Sequence, residues 1–429
     1  MISIRIPNNN IEERSYAISS VFEIIGVNYN LLIDSDITNY ILEVEDCELI
    51  ICDFFFSTHK EQRSYLSIDN IPQKVSYVRN NFIIESDLPV IYGTDELLLS
   101  KKRIKCGIDV FASVFFMLTR WEETVLNKND SHGRFPASCS LALKAGFIER
   151  PVVNEYCEML WNMLKFLGCQ DKRNNEGFSI RFTHDIDVFR KSSLKEMMKS
   201  IIRFKSIKNV IDTFIGFISF KYDVYNLYDY FMDKSERCNT KSHFYFMSDN
   251  TNHFLQSKKF HKTIRRICGR GHYIGFHPGY NTYRDCEKWG EQLHKLESVS
   301  KMKIREGRQH VLQIVLPETI RIWKKYGMEC DSTLCYAEKS GFRCGTGNSF
   351  FLFDVLESKQ LSLKEMPLII MDVTLKRYEC LPLVEAKMKI KTLIETSRKY
   401  DMPITLLFHN SNFYGKEWQG WMQLYDEIC

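Results

Sequence analysis

His184, Asp185 and Asp187 close the run Phe178-Ser-Ile-Arg-Phe-Thr-His-Asp-Ile-Asp187 and form the most informative group of ionisable side chains in the sequence. The run alternates and is rich in β-forming residues, so it reads as a strand over 178–183. On an extended strand residues i and i+2 point to the same side, so both carboxylates face one spot. Like charges that close repel, and a cation or a shared proton must offset them. The carboxyl end of a strand in an α/β protein is a common seat of chemistry. The plain alternative is a turn whose aspartates cap a helix.

Four more clusters fall where short apolar runs stop. In Gly271-His-Tyr-Ile-Gly-Phe-His-Pro-Gly-Tyr-Asn281, His277 stands at a strand end beside a Pro-Gly turn, a suitable place for a metal-ligating imidazole. Asn281 either adds a neutral oxygen ligand or holds the turn. His272, at the far end of that strand, reads as a core or surface residue. Arg305-Glu-Gly-Arg-Gln-His310 offers Arg308 as a bidentate grip on a carboxylate, with His310 on the same face. Asp331-Ser-Thr333 follows a fourth apolar run. Leu406-Leu-Phe-His-Asn410 ends a buried strand in His409, a position that suits a general acid.

These groups need a scaffold. Strands are expected over 178–183, 243–247, 273–276, 328–331, 368–371 and 404–408, with helices near 256–269, 287–301, 317–326 and 385–399. That alternation implies a parallel sheet or barrel. Residues 191–241 break the rhythm and read as a long helical insertion rich in aromatics, either with its own small core or as a wall over the site. The polar run Gln170–Gly177 is the linker candidate. Before it lies a mixed α/β region over 1–170, with a strand at 48–56, a helix from Asp109 to Trp121 that Arg120-Trp-Glu-Glu123 ends with charge, and a helix at 154–167. The loop Asp130–Pro136 has turn chemistry; His132 and Arg134 there read as solvated, with anion binding as the alternative.

With 429 residues and 44% hydrophobic content, the chain holds a sizeable core. The net charge of +4 is small for this length, and no basic stripe with interleaved aromatics argues for nucleic acid. The 14 cysteines have no CxxC pairing and read as reduced thiols. No apolar run is long enough for a membrane span, and the first residues lack an apolar signal core. A cytoplasmic protein is expected.

The order acid pair, His, Arg, Asp, His over residues 178–412 resembles the polysaccharide deacetylase family, the nodulation-type deacetylase domain also called carbohydrate esterase family 4. The resemblance implies an α/β fold, a distorted (β/α) barrel over 178–429 with the insertion at about 191–241, preceded by the smaller 1–170 domain. It implies a metal-dependent hydrolase, most often with Zn²⁺, that removes the N-acetyl group of an amino sugar or glycan precursor in polysaccharide biosynthesis. Asp185 becomes the base, Arg308 its brace and His409 the general acid. Asp187 and His277 become metal ligands, and Asp331-Ser332 lines the pocket. The family's second metal histidine is replaced by Asn281, so the third ligand is Asn281, a water, His310 or His184. Two other readings stand beside this one: a non-catalytic glycan- or partner-binding module on the same barrel, and a metal hydrolase of small cyclic amides. The Arg-Trp-Glu-Glu and His-Gly-Arg-Phe stretches are similar to an uncharacterised domain that precedes some bacterial members.

Overall fold

The computed structural model describes residues 2–59, 61–192, 207–249 and 253–428. The N-terminal region contains β1 (Ile2–Pro7), β2 (Tyr29–Asp34), β3 (Tyr40–Val44), β4 (Cys47–Ile51), β5 (Ser76–Val78), β6 (Leu88–Val90), β7 (Gly93–Leu99) and β8 (Arg103–Ile108). Six of them form a mixed sheet in the order β2-β1-β3-β4-β8-β7, while β5 and β6 pair separately. Period-two patterning drives β1: Ile2, Ile4 and Ile6 are buried, and Ser3 and Arg5 between them are half-buried. The strand expected over 48–56 stops at Ile51, because Asp53 turns in to meet Arg14 in a buried ion pair at 2.6 Å.

Asp109 caps the next helix as its side chain suggests: its Oδ1 accepts the Ala112 N–H at 3.0 Å. That helix, Val110–Thr119, ends where Arg120 adopts a left-handed backbone with φ 52°. The charged stretch after it does not face solvent. It opens a second short helix, Trp121–Leu126, and Arg120, Glu122 and Glu123 are all buried.

The second region contains β9 (Ile180–Ile186), β10 (Ser242–Met247), β11 (Tyr273–His277), β12 (Glu306–Gly307), β13 (Cys330–Asp331), β14 (Phe350–Asp354), β15 (Lys359–Glu365), β16 (Leu368–Met371) and β17 (Ile404–Leu407). They form one curled nine-stranded sheet in the order β14-β15-β13-β12-β11-β10-β9-β17-β16. Every pairing is parallel except β14 with β15. Helices Lys258–Gly269, Cys286–Ser300, Glu318–Lys325 and Leu383–Lys399 match the expected set. Of the distorted barrel expected, the sheet forms a curled half-barrel: among the described residues no ladder joins β14 to β16.

At the β14 end the N-terminal region takes over. Tyr16 and Phe115 pack on Phe353, with ring centroids 4.9 and 5.4 Å away, and the Tyr16 hydroxyl donates to the Phe351 carbonyl at 2.7 Å. One continuous set of buried apolar side chains spans both regions. Within the insertion the described helices are Ile207–Ile218 and Tyr228–Arg237; residues 193–206 of that expectation lie outside the described residues. Among the described residues twelve cysteines carry free thiols, whereas Cys238 is disulfide-bonded, against the expectation of reduced thiols. No helix among the described residues is long and apolar enough to cross a membrane.

Candidate active site

Parallel strands bring their carboxyl ends to one edge, and that edge collects the sequence-distant side chains. Asp185 lies in the last turn of pleat of β9 and Asp187 just beyond it. His277 ends β11, Arg308 follows β12, Asp331 ends β13, Asp372 follows β16 and His409 closely follows β17. The strand carrying the acid pair runs to Ile186, further than its apolar alternation indicates, which keeps Asp185 in register with its neighbours.

The acid pair converges on one imidazole. Nε2 of His277 lies 3.1 Å from Asp187 Oδ1 and 3.8 Å from Asp185 Oδ2. Its other nitrogen, Nδ1, is 2.7 Å from the Arg308 carbonyl, which suits an Nδ1–H donor and leaves Nε2 with its lone pair toward the acids. His310 completes the group: its Nε2 is 3.9 Å from Asp187 Oδ1. Ligand atoms of Asp187, His277 and His310 all lie within 4.8 Å of one another. Asp187 Oδ1 and His277 Nε2 are both buried and, 3.1 Å apart, have no hydrogen-bond partner other than each other. Two unsatisfied buried atoms aimed at one point are costly unless something binds there. Two imidazoles and one carboxylate make a donor set suited to zinc, with a position left open for water or substrate.

Two of the three donors, His310 and Asp187, have protonation states that suit a cation, whereas on His277 a proton competes with it. Burial, and then the nearby His277, bring His310 down to about 4, so it is the neutral imidazole a cation requires. Burial alone would raise the Asp187 carboxyl, but His277 outweighs it and holds the group well below the usual carboxylate range. Burial lowers His277, yet the two acids outweigh it and raise its pKa.

Arg308 is fully buried and spends its whole guanidinium on the site. Nη1 donates to Asp185 Oδ1 at 2.8 Å and to the Thr183 hydroxyl at 2.9 Å; Nε donates to the Ser332 carbonyl at 2.7 Å and Nη2 to the Ser332 hydroxyl at 2.7 Å. Asp185 therefore has one oxygen fixed by a cation and the other turned toward His277.

Across the cleft, His409 is gripped by a residue that the sequence reading did not single out. Nδ1 lies 2.8 Å from Asp372 Oδ1, and the His409 backbone N–H donates to Asp372 Oδ2 at 2.9 Å. The Asn412 amide donates to the same Oδ2 at 2.9 Å. Burial pulls the His409 pKa down, but the fully buried Asp372 outweighs it and raises it to about 9. The signal was in the sequence: Asp372 directly follows the apolar strand Leu368–Met371, while Asp185 and Asp331 stand in the last residues of theirs.

Other expected residues go elsewhere. Asn281 has φ 62°, its backbone N–H donates to Gln313 Oε1 at 2.9 Å, and its Oδ1 accepts from Gln313 Nε2 at 3.3 Å. Its side-chain oxygen and backbone N–H both engage Gln313 and hold the turn, and His310 joins Asp187 and His277. His184 faces away, stacked on Phe231 with centroids 3.8 Å apart and Nδ1 against the Phe408 carbonyl at 2.9 Å. Burial lowers its pKa to about 3, so it is a neutral core residue. His272 is likewise structural, accepting the Ser242 N–H at 2.9 Å. Asp331 does not line the cleft. Burial raises its pKa to about 7, and burial pushes its strand neighbour Glu365 well above the carboxylate range.

The cleft has a volume of about 360 Å³ and is lined by Asp185, Asp187, His277, His310, Tyr378 and His409 among others. Arg134 from the N-terminal region also lines it, so the loop read as solvated forms part of the wall. Arg134 pairs with Asp130 at 2.7 Å and donates to the Val311 carbonyl at 3.3 Å. Its neighbour His132 places Nδ1 2.9 Å from the Tyr280 hydroxyl.

Residues 2–168 match a family described only as a family of unknown function, DUF7033. No curated protein matches the chain. Among solved structures, the chain is similar to a protein from Mycobacterium smegmatis described as a polysaccharide deacetylase, at 15% identity and a TM-score of 0.40, over 60% of this chain and 86% of that one. It is similar to the polysaccharide deacetylase Bc1974 from Bacillus cereus at 12% identity and a TM-score of 0.26, over 58% of this chain and 85% of that one. A 4-alpha-glucanotransferase from Thermococcus litoralis is similar at 10% identity and a TM-score of 0.35, over 58% of this chain and 36% of that one.

Proposed function

We propose that this protein is a metal-dependent hydrolase that removes the N-acetyl group of an amino sugar or glycan precursor. The observation that carries the reading is the convergence of Asp187, His277 and His310 within 4.8 Å, between the Asp185–Arg308 pair and the His409–Asp372 pair. Asp187, His277 and His310 would hold the divalent cation, with Zn²⁺ the best match to the donors. When bound, such a cation polarises a carbonyl and makes water a stronger acid.

The chain's own groups divide the remaining work. Asp185, aimed by Arg308, accepts a proton from the attacking water through Oδ2. His409, with Nδ1 committed to Asp372, presents a protonated Nε2 to the departing amine and donates to it. An amine leaves an acyl centre poorly unless it is protonated, so the raised pKa of His409 suits this task. Tyr378 offers the cleft an aromatic surface for a sugar ring. Asn281 in place of the family's histidine was the support for a non-catalytic binding module; His310 beside Asp187 favours the enzyme reading by supplying a second imidazole.

The test measures bound metal and acetate release from N-acetylated saccharides, before and after chelation. About one cation per chain and chelator-sensitive acetate release are expected. Metal-free protein that still releases acetate, or metal-loaded protein that releases none from any N-acetylated saccharide, would overturn the reading.

A further inference from the structure

The helix Ile207–Ile218 is built inside out. Ile211, Phe214, Ile215 and Ile218 recur at positions i, i+3, i+4 and i+7, the stripe that normally faces a core. Here they are 50%, 53%, 43% and 66% exposed. Phe217 beside them and Tyr222 just after the helix are exposed as well. The face turned to the protein carries Thr213 and Gly216, both buried. Gly216 is needed there: a Cβ would lie 2.4 Å from the Ser192 hydroxyl and 3.1 Å from the Asp223 Cα. The helix is nonetheless firmly held. The Gly216 carbonyl accepts from Arg190 Nη2 at 2.6 Å, and Asp212 Oδ2 accepts from the Tyr414 hydroxyl at 2.9 Å. A clustered apolar face of this kind marks an interaction site rather than chance exposure.

Charge identifies what covers it. From Lys191 to Lys221 the sequence has seven Lys or Arg residues against Glu196 and Asp212, a balance of +5 where the whole chain has +4. Lys208 and Lys221 flank the apolar stripe and are exposed. An apolar helix face with basic flanks is the signature of a helix lying in a bilayer interface, drawn there by anionic headgroups and held by apolar burial.

We propose that this helix docks the protein on the surface of an anionic lipid bilayer. The dock adjoins the cleft, since Tyr414 follows closely on Ser411 and Asn412, which line it. Given the hydrolase reading, this puts the cleft beside the headgroups, where a lipid-linked saccharide is presented; the docking itself does not depend on that reading.

The experiment sediments the full chain with phosphatidylcholine vesicles and with vesicles that also contain phosphatidylglycerol. Sedimentation only with the anionic vesicles is expected, weakened by salt, and reduced more than about tenfold in the Ile211→Glu, Phe214→Glu, Ile218→Glu triple variant. These side chains are exposed, so an unchanged melting temperature serves as the folding control. A second control, Lys208→Glu with Lys221→Glu, is expected to reduce anionic binding without touching the apolar stripe. Wild-type protein that ignores both vesicle types, or a triple variant that binds like wild type, would overturn the proposal. So would a wild-type dimer that the triple substitution splits into monomers with no vesicle binding, since a second copy would then be the occupant.

Discussion

Asp185 and Asp187 sit two residues apart yet have different partners, and the proposed mechanism gives them different roles on that ground. Asp185 has one oxygen on Arg308, whereas Asp187 turns a buried, unbonded oxygen toward two imidazoles. Asp185→Asn and His409→Ala are each expected to lower acetate release by about 10²- to 10⁴-fold while metal content stays unchanged, as measured by acetate assay and elemental analysis. Full activity in either variant would remove that residue from the chemistry. His310→Asn is expected to weaken metal binding at least about tenfold, the lower edge of what metal-site losses cost, whereas Asn281→Ala leaves it unchanged. Competition with a chelator of known affinity separates the two. On the proposed mechanism Asp372 acts through His409 as a positioning residue. His409 would then donate its proton, so activity is expected to fall as pH rises through its pKa, which Asp372 helps raise to about 9. In Asp372→Asn the carboxylate's stabilisation of the imidazolium is lost, and the alkaline limb of the rate profile is expected to move to lower pH. A limb that stays in place would show that Asp372 does not tune this proton.

At the scale of elements, the site depends on two strands almost too short to be strands. β12 is Glu306–Gly307 and β13 is Cys330–Asp331, yet they place Arg308 and Ser332 against each other. Close approach makes this possible: a Cβ on Gly307 would lie 2.1 Å from the Phe276 carbonyl oxygen. Gly307→Ala must push β12 away from β11, and with it the Arg308 carbonyl that receives His277. A loss of about 1–3 kcal/mol in stability is expected from overpacking at this contact, together with weakened metal binding. Denaturant titration and metal competition on the same sample check both. A Gly307→Ala protein as stable as wild type, with its metal site intact, would mean the strands can separate freely.

The whole molecule is tied together by buried charge. Arg343 donates to Glu123 Oε1 at 3.0 Å and to its other carboxylate oxygen, while Arg120 donates to the same Oε1 at 2.9 Å and to the Tyr336 hydroxyl at 2.9 Å. This network joins the N-terminal region to the loop between β13 and β14 with scarcely any solvent exposure. Removing one partner strands the others without water. Glu123→Gln is expected to cost about 3–5 kcal/mol. With a core shared across both regions, wild-type unfolding is expected as one transition in calorimetry. Two resolved transitions would mean that the N-terminal region is a loosely attached module and that Arg134 in the cleft wall is incidental.

Much of this was legible in the sequence because it is local. The acid pair on one strand face, His277 beside its Pro-Gly turn, Arg308, His409 and the order of strands and helices all follow from periodicity and from residue types a few positions apart. Short strands such as β12 and the β14–β15 pair escaped because two to seven residues, one of them bulged, give too little periodicity to read. The second imidazole of the cluster, His310, the carboxylate behind His409 and the arginine lent by the N-terminal loop were decided only by the tertiary structure. Each is a contact between residues tens to hundreds of positions apart, and no local pattern encodes which of several histidines or aspartates the folded chain will turn toward the same few ångströms of space.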